Sequence, residues 1–166
     1  MKRTHRLVLA SLFVALSFIF TYFVKIPFPT GGYFNVGDAF IMLAAIIIDP
    51  LTGILIGALA GGLSDLFAGY VLFIPFTILA KGLEALIAGF IYQKTRGLLR
   101  YGGVVIGPLV MVALYALSYI ILFDKATMIA NLPFDLAQAG IAIVLTIILL
   151  LLLEKTPLLL KVKARK

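Results

Sequence analysis

Residues 74–89, IPFTILAKGLEALIAG, place Lys81 and Glu84 inside an otherwise apolar stretch. An ionised side chain at the centre of a membrane-spanning helix costs about 2.5 to 3.5 kcal/mol on insertion scales, because lipid cannot solvate it. At a spacing of i,i+3 the two side chains lie on nearly one face of a helix. We expect them to line a pocket for a small polar solute. The alternative is a structural ion pair between the two.

The composition is that of an integral membrane protein. Of 166 residues, 63% are hydrophobic and only 13% are charged, which is too apolar for an ordinary water-soluble domain. The length allows about six spans of roughly 20 residues. We therefore predict an all-α fold, one bundle of six transmembrane helices forming a single domain over residues 1–166. The predicted spans are 7–24, 36–48, 51–67, 71–92, 104–123 and 134–153.

The second span is predicted to be short. Residues 36–48 make roughly 20 Å of helix, against a hydrocarbon core of about 30 Å. This segment is therefore thin, tilted or part of a re-entrant pair with the third. Asp38 either caps its start or contacts a ligand. In the third span, Gly53, Gly57 and Gly61 repeat every four residues, which predicts close helix packing.

The basic residues fall in clusters that alternate with apolar spans. This positive-inside pattern predicts that both termini and the loop after the fourth span are cytoplasmic, in the plasma membrane of a bacterial cell. Lys25 and Lys125 are then outside. Anionic headgroups account for the net charge of +7, so no nucleic-acid partner is implied. The clusters are Lys2, Arg3 and Arg6; Lys94, Arg96 and Arg100; and Lys155, Lys161, Lys163, Arg165 and Lys166.

The sequence holds no signature of an enzyme. It has no cysteine and one histidine, His5, so it lacks the residues of a zinc or haem site. It contains no phosphate-binding G-x-x-x-x-G-K-[ST] loop and no recognisable Ser/His/Asp set. We expect no catalysis, no metal and no cofactor, and any ATP-driven step needs other chains.

Polar and aromatic residues concentrate toward the predicted outer side. Residues 25–37 are rich in Pro and Gly and predict an external loop. Within this loop, Tyr33, Phe34 and Asn35 form either a lid over a pocket or an interfacial aromatic anchor. Asp65, at the outer end of the third span, is either solvated or directed into the pocket.

The last two spans contain a second set of polar and aromatic residues. Tyr115 and Tyr119 share a helix face and serve either packing or ligand stacking. Residues 124–133 are predicted to be a second external loop. Asp135 and Gln138 would then lie in the first turns of the last span, where they either cap it or contact the solute.

Small residues mark one face of the first span. Ser11 and Ala15 form a small-x-x-x-small step, which allows another helix backbone to approach closely. The step serves either packing inside the bundle or docking of a partner protein.

With these motifs in place, the chain resembles the substrate-binding S components of energy-coupling factor (ECF) vitamin transporters. The resemblance runs through ASLFVAL, NVGDAFIMLAA, DPLTGILIGALAGGLSD and FTILAKGLEALIAG, and covers nearly the whole chain. It is greatest to members for hydroxymethylpyrimidine or pyridoxine-type vitamin B6. The sequence departs from the family pattern in having Ser11 where the first-helix motif has Ala, and Asp49-Pro50 in place of a Gly-Pro turn.

The resemblance implies a transport mechanism. An S component binds a vitamin at its outer face, in a cavity closed by the loops after helices one, three and five. It then docks on a transmembrane T protein carrying two ATP-binding cassette ATPases, and topples to release the vitamin inside. The residues then take these roles: Lys81 and Glu84 form the pocket floor, Asp65, Asp135 and Gln138 the rim, and Tyr33, Phe34 and Asn35 the lid.

Two other functions remain open from the sequence. One is a non-catalytic membrane scaffold of similar fold, of the kind that determines cell shape. The other is an intramembrane enzyme acting on a lipid through Asp38 or Asp65.

Overall fold

The computed structural model describes residues 3–28 and 32–153, which form six α-helices and one two-stranded hairpin. Five of these helices are long and apolar enough to cross a membrane. The predicted all-α bundle with a short second helix is confirmed. The helices are α1 (Arg3–Tyr22), α2 (Asp38–Ile47), α3 (Pro50–Ala68), α4 (Ile74–Lys94), α5 (Gly102–Leu122) and α6 (Lys125–Leu153), and the strands are β1 (Lys25–Pro27) and β2 (Tyr33–Asn35).

Helix α2 occupies the middle of the bundle. It packs against α1, α3, α4 and α6, and nearly all of its 10 residues are buried. Its C-terminal carbonyl groups have no helical partners of their own, and Gln93 of α4 donates to two of them, at 3.3 Å from the Ala45 oxygen and 3.1 Å from the Ile46 oxygen. A short helix can therefore end inside the bundle without leaving these groups unsatisfied.

Helix α2 runs antiparallel to α1 rather than turning back within the membrane. Gly37, just before α2, lies against Ser17 and Thr21 near the end of α1. At the other end of α2, Asp49 forms an ion pair with Arg6 at 2.7 Å, near the start of α1. The re-entrant alternative is therefore wrong.

The glycine repeat of α3 packs closely, as predicted. A Cβ atom at Gly53 would lie 2.4 Å from the Ala45 Cβ of α2, and one at Gly57 would lie 2.7 Å from the Lys81 carbonyl oxygen of α4. Helix α3 thus packs closely against both α2, which carries Asp38, and α4, which carries Lys81 and Glu84.

The turn between α2 and α3 has a structural role of its own. Asp49 caps α3 by accepting a hydrogen bond from the Thr52 backbone N–H at 2.9 Å, and Pro50 occupies the first helical turn, where no N–H is needed. This turn, the start of α1, the end of α4 and a short 3₁₀ helix at Gly97–Tyr101 lie at one end of the bundle. That end carries the described basic residues Arg3, Arg6, Lys94, Arg96 and Arg100; Lys2, the tail from Lys155 onward, and residues 29–31 lie outside the described residues.

Two predicted external loops differ from the structure. Within the first, residues 25–27 and 33–35 pair as the two antiparallel strands of the hairpin, in which Lys25 pairs with Asn35. Residues 124–133 are not a loop, because α6 begins at Lys125 and continues through Pro133. Asp135 and Gln138 therefore lie well inside α6, and the interpretation that they cap it is wrong.

Candidate functional site

A small cavity lies under the hairpin, at the end of the bundle opposite the basic residues. Its volume is about 30 Å³, which is room for about two water molecules. Its walls come from Gly32 and β2, from the segment between α3 and α4, and from α1, α3, α4, α5 and α6, and they are mainly polar or aromatic. The lining residues are Thr21, Gly32, Tyr33, Asn35, Asp65, Tyr70, Phe73, Thr77, Lys81, Tyr115, Tyr119, Asp135 and Gln138.

Lys81 forms the floor of this cavity, and its ion-pair partner is Asp38. The Lys81 Nζ donates to the Asp38 carboxylate and lies 3.1 Å from the Met111 Sδ. Both members of the pair are almost completely buried. The alternative of an ion pair between Lys81 and Glu84 is therefore wrong: Glu84 is also buried, but neither of its carboxylate oxygens has a hydrogen-bond partner among the described residues.

Hydrogen bonds connect this ion pair to the hairpin. Gln138 donates from Nε2 to the second Asp38 oxygen at 2.8 Å, and its Oε1 accepts from the Asn35 backbone N–H at 3.0 Å. Asn35 in turn accepts from the Gly37 backbone N–H at 3.1 Å. The N-cap of α2 is Gly37, without a side-chain bond, so the interpretation of Asp38 as a cap is wrong. The strand β2 is thus held to the buried charges through one glutamine.

Two further carboxylates face the cavity. Asp65 and Asp135 are 3% and 4% exposed. The Tyr33 hydroxyl donates to Asp65 Oδ1 at 2.7 Å and so ties the hairpin to α3. Burial, together with the neighbouring Asp65 charge, raises the pKa of Tyr33, so its hydroxyl keeps the proton that it donates. The other oxygen of Asp65 and the Oδ2 of Asp135 have no hydrogen-bond partner among the described residues.

Aromatic rings complete the walls. The Tyr33 and Tyr70 ring centroids are 5.2 Å apart, and those of Phe73 and Tyr119 are 5.6 Å apart. Such separations are typical of favourable ring contacts. Tyr119 and its neighbour one turn earlier, Tyr115, both face the cavity while packing against other side chains.

Most predicted pocket residues come together here, and three do not. Phe34, Asp38 and Glu84 do not line the cavity, whereas Asp65 is buried in its wall rather than solvated. The residues that the sequence prediction missed are Thr21, Gly32, Tyr70, Phe73 and Thr77. Thr77 precedes Lys81 by one helical turn, so the sequence spacing alone could have predicted that both lie on the same face of α4.

A second concave surface runs along the outside of the bundle. It is an apolar groove between α1 and α3 with a volume of about 780 Å³, and Ser11 and Ala15 lie in it. The buried face of α1 consists instead of Phe13, Ser17 and Thr21. The alternative that Ser11 and Ala15 pack inside the bundle is therefore wrong for the described residues.

Residues 1–155 match the model of the family described as the ECF-type riboflavin transporter S component. The chain belongs to this family. A curated protein of Pyrococcus woesei, described only as uncharacterized, is 35% identical to this S component over 130 residues, covering 75% of this chain and 85% of the relative. A solved structure, described as the S component of a bacterial ECF transporter, superposes with a TM-score of 0.76 at 24% identity, covering 89% of this chain and 94% of the other. At that identity the superposition supports the fold.

These findings confirm the resemblance to ECF S components and a multi-pass membrane protein. They do not support the further expectation of a hydroxymethylpyrimidine or vitamin B6 type, since the family description names riboflavin. S components of ECF transporters in general work with a T protein and ATPases.

Proposed function

We propose that this S component captures a flat, heteroaromatic vitamin in the cavity under the hairpin and delivers it to the cytoplasm after docking on a T protein with two ATP-binding cassette ATPases. The observation that carries the proposal is the cavity itself. Its buried Lys81, its unpartnered carboxylate oxygens and its tyrosines combine flat apolar walls with a few fixed polar groups, which is how proteins hold small ring compounds.

The distribution of charge supports an extracellular cavity. The end opposite the cavity carries Arg3, Arg6, Lys94, Arg96 and Arg100, whereas the cavity end has only Lys25 and Lys125 among the described Lys and Arg residues near its surface. By the positive-inside rule, the basic end faces the cytoplasm. We therefore place the hairpin and the cavity outside.

We propose riboflavin as the vitamin, because the family description names it. Its ring can stack against tyrosines, and its imide N–H and ribityl hydroxyls can donate to carboxylates. A B6 vitamer or hydroxymethylpyrimidine offers smaller rings with similar donors and is the competing proposal. In either case, a cavity of about 30 Å³ is too small for the vitamin, so the hairpin must move for it to enter.

Two hydrogen bonds restrain the proposed movement of the hairpin. Tyr33 holds β2 to α3 through Asp65, and Asn35 holds β2 to α6 through Gln138. Breaking two such bonds costs about 1 to 3 kcal/mol in total at typical net values, which an entering vitamin can offset by supplying its own polar groups. The hairpin is thus a lid held by a small number of replaceable contacts.

The groove between α1 and α3 is proposed to receive the T protein. It faces the bilayer and contains the small side chains of Ser11 and Ala15, which allow a helix to approach closely. Ala15→Leu should block docking, and therefore uptake by the complete transporter, without changing vitamin binding to the isolated chain. Ala137→Leu, on the exposed face of α6, is the control that should leave both unchanged. Loss of vitamin binding in Ala15→Leu would contradict the separation of the two sites.

The vitamin proposal is tested on the purified full chain in detergent. Small molecules released on denaturation are identified by mass spectrometry, and riboflavin binding is then measured by fluorescence quenching, with pyridoxine and hydroxymethylpyrimidine as competitors. Gln138→Leu should weaken binding at least about tenfold, because a buried polar pairing is lost, whereas its neighbour variant Ala137→Leu should not. Absence of binding by all three compounds would contradict the proposal and favour a scaffold role.

A further inference from the structure

The ionisable side chains buried in the bundle are mostly acids. The buried charged residues in residues 3–28 and 32–153 are four carboxylic acids and one lysine. Lys81 is already bound to Asp38. Among the described residues, no other buried cation is left to pair with Asp65 or Asp135, both of which line the cavity.

Each of these two acids lines the cavity and has a buried acceptor oxygen without a hydrogen-bond partner among the described residues. Asp65 has one oxygen bound by Tyr33 and leaves Oδ2 without a partner, while the Oδ2 of Asp135 is also unpartnered. They belong to different helices, α3 and α6, so they can approach a ligand from separate directions. A buried acceptor without a partner is unfavourable, and a ligand that brings an N–H or O–H group to it removes that penalty.

We propose that Asp65 and Asp135 are specificity-determining residues that select the unphosphorylated form of the vitamin. They accept hydrogen bonds from its N–H and O–H groups and disfavour its phosphate ester. The inference rests on the proposed function, since it names which chemical form of the vitamin the same cavity takes.

The physical reason is the charge and polarity of a phosphate group. A phosphate monoester carries about −1.5 to −2 charges at neutral pH and presents acceptor oxygens where the two aspartates already provide acceptors. Like charges brought together in a site with little water strongly oppose binding. Lys25, a cation at this end of the bundle, does not line the cavity; its Nζ lies 4.1 Å from the Tyr22 ring centroid and 5.8 Å from that of Tyr33.

The test compares each free vitamin with its own phosphate ester on the purified full chain. The pairs are riboflavin with flavin mononucleotide, and pyridoxine with pyridoxine 5′-phosphate. For whichever of the two vitamins binds, we expect the free form to bind at least about 100-fold more tightly than its phosphate ester. Equal affinities for the two forms would overturn the inference while leaving the proposed function intact. If neither free vitamin nor ester binds, both fail.

Variants assign the selectivity to the two residues. The double variant Asp65→Asn with Asp135→Asn keeps the shape of both side chains and removes their capacity for negative charge. It should weaken binding of the free vitamin and reduce the preference for the free vitamin over its phosphate ester to less than about tenfold. Each single variant should reduce it in part, which provides a readout if the double variant does not fold. The matched control is Asp124→Asn, an exposed residue at the turn before α6, which should keep the full preference. An unchanged preference in folded Asp65→Asn and Asp135→Asn proteins would overturn the assignment.

Discussion

Replacing Lys81 with methionine should strongly destabilise the protein by leaving Asp38 alone in the core. The two side chains are 1% and 0% exposed, and among the described residues the Asp38 carboxylate then keeps only its bond from Gln138, at 2.8 Å. Removing one partner of a buried pair typically costs about 3 to 5 kcal/mol. Because Gln138 still donates, we expect the lower end, about 3 kcal/mol.

The loss can be measured as a shift in thermal unfolding. For a chain of this size, each kcal/mol moves the midpoint by about 2 to 4 °C, so Lys81→Met should unfold about 6 to 12 °C earlier. The assay is far-UV circular dichroism of the purified protein in one detergent throughout. A shift below about 2 °C would show that the pair contributes no more than a surface ion pair.

A second substitution identifies the partner. Lys81→Met combined with Asp38→Asn should recover most of the lost stability, because neutral groups can replace a buried pair at little cost. Lys81→Met combined with Glu84→Gln is the control and should recover little, since Asp38 stays unpaired. The opposite pattern, recovery with Glu84→Gln and not with Asp38→Asn, would refute the ion pair described above.

Two further variants test the lid and the helix packing. Tyr33→Phe removes the hydroxyl that donates to Asp65 and should speed vitamin release about tenfold, measured by stopped-flow displacement. Phe34→Leu, at a residue that does not line the cavity, is the control and should leave the release rate unchanged. Equal release rates in the two variants would contradict the role of the hydrogen bond. Gly57→Ala should lower the free energy of unfolding by about 1 to 3 kcal/mol, because the new Cβ would lie 2.7 Å from a backbone oxygen of α4. Gly140→Ala has no neighbouring atom within 4 Å and should raise it by about 0.5 to 1 kcal/mol, so a similar loss in both glycine variants would contradict close packing as the cause.

The fold was predictable because the bilayer restricts it. The lengths of the apolar stretches predicted the helices, and the residue count of the second span correctly indicated a short helix. The start of α6 was not predictable, because Asn131 and Pro133 are typical of a loop in water. In a membrane protein, neighbouring helices can tolerate a proline within a span, and α6 continues through Pro133.

Most residues of the site could be predicted from the sequence, but the partner of Lys81 in the buried ion pair could not. Spacing along one helix suggested Glu84 as the partner of Lys81, whereas Asp38 lies 43 residues away and reaches Lys81 only through the packing of α2 on α4. The lid residues show the same limit. Successive side chains of a strand point to opposite faces, so Tyr33 and Asn35 line the cavity and Phe34 does not. A prediction of an irregular loop could not give that alternation.

The shortness of α2 fixes the direction in which the site can open. Since α2 is about 15 Å long, the hairpin completes that crossing with backbone that is not helical. Exposed peptide groups are tolerated beside water but not beside acyl chains. The proposed movement of the hairpin is therefore toward the aqueous side rather than sideways into lipid. Delivery of the proposed vitamin to the opposite side then requires a movement other than that of the hairpin.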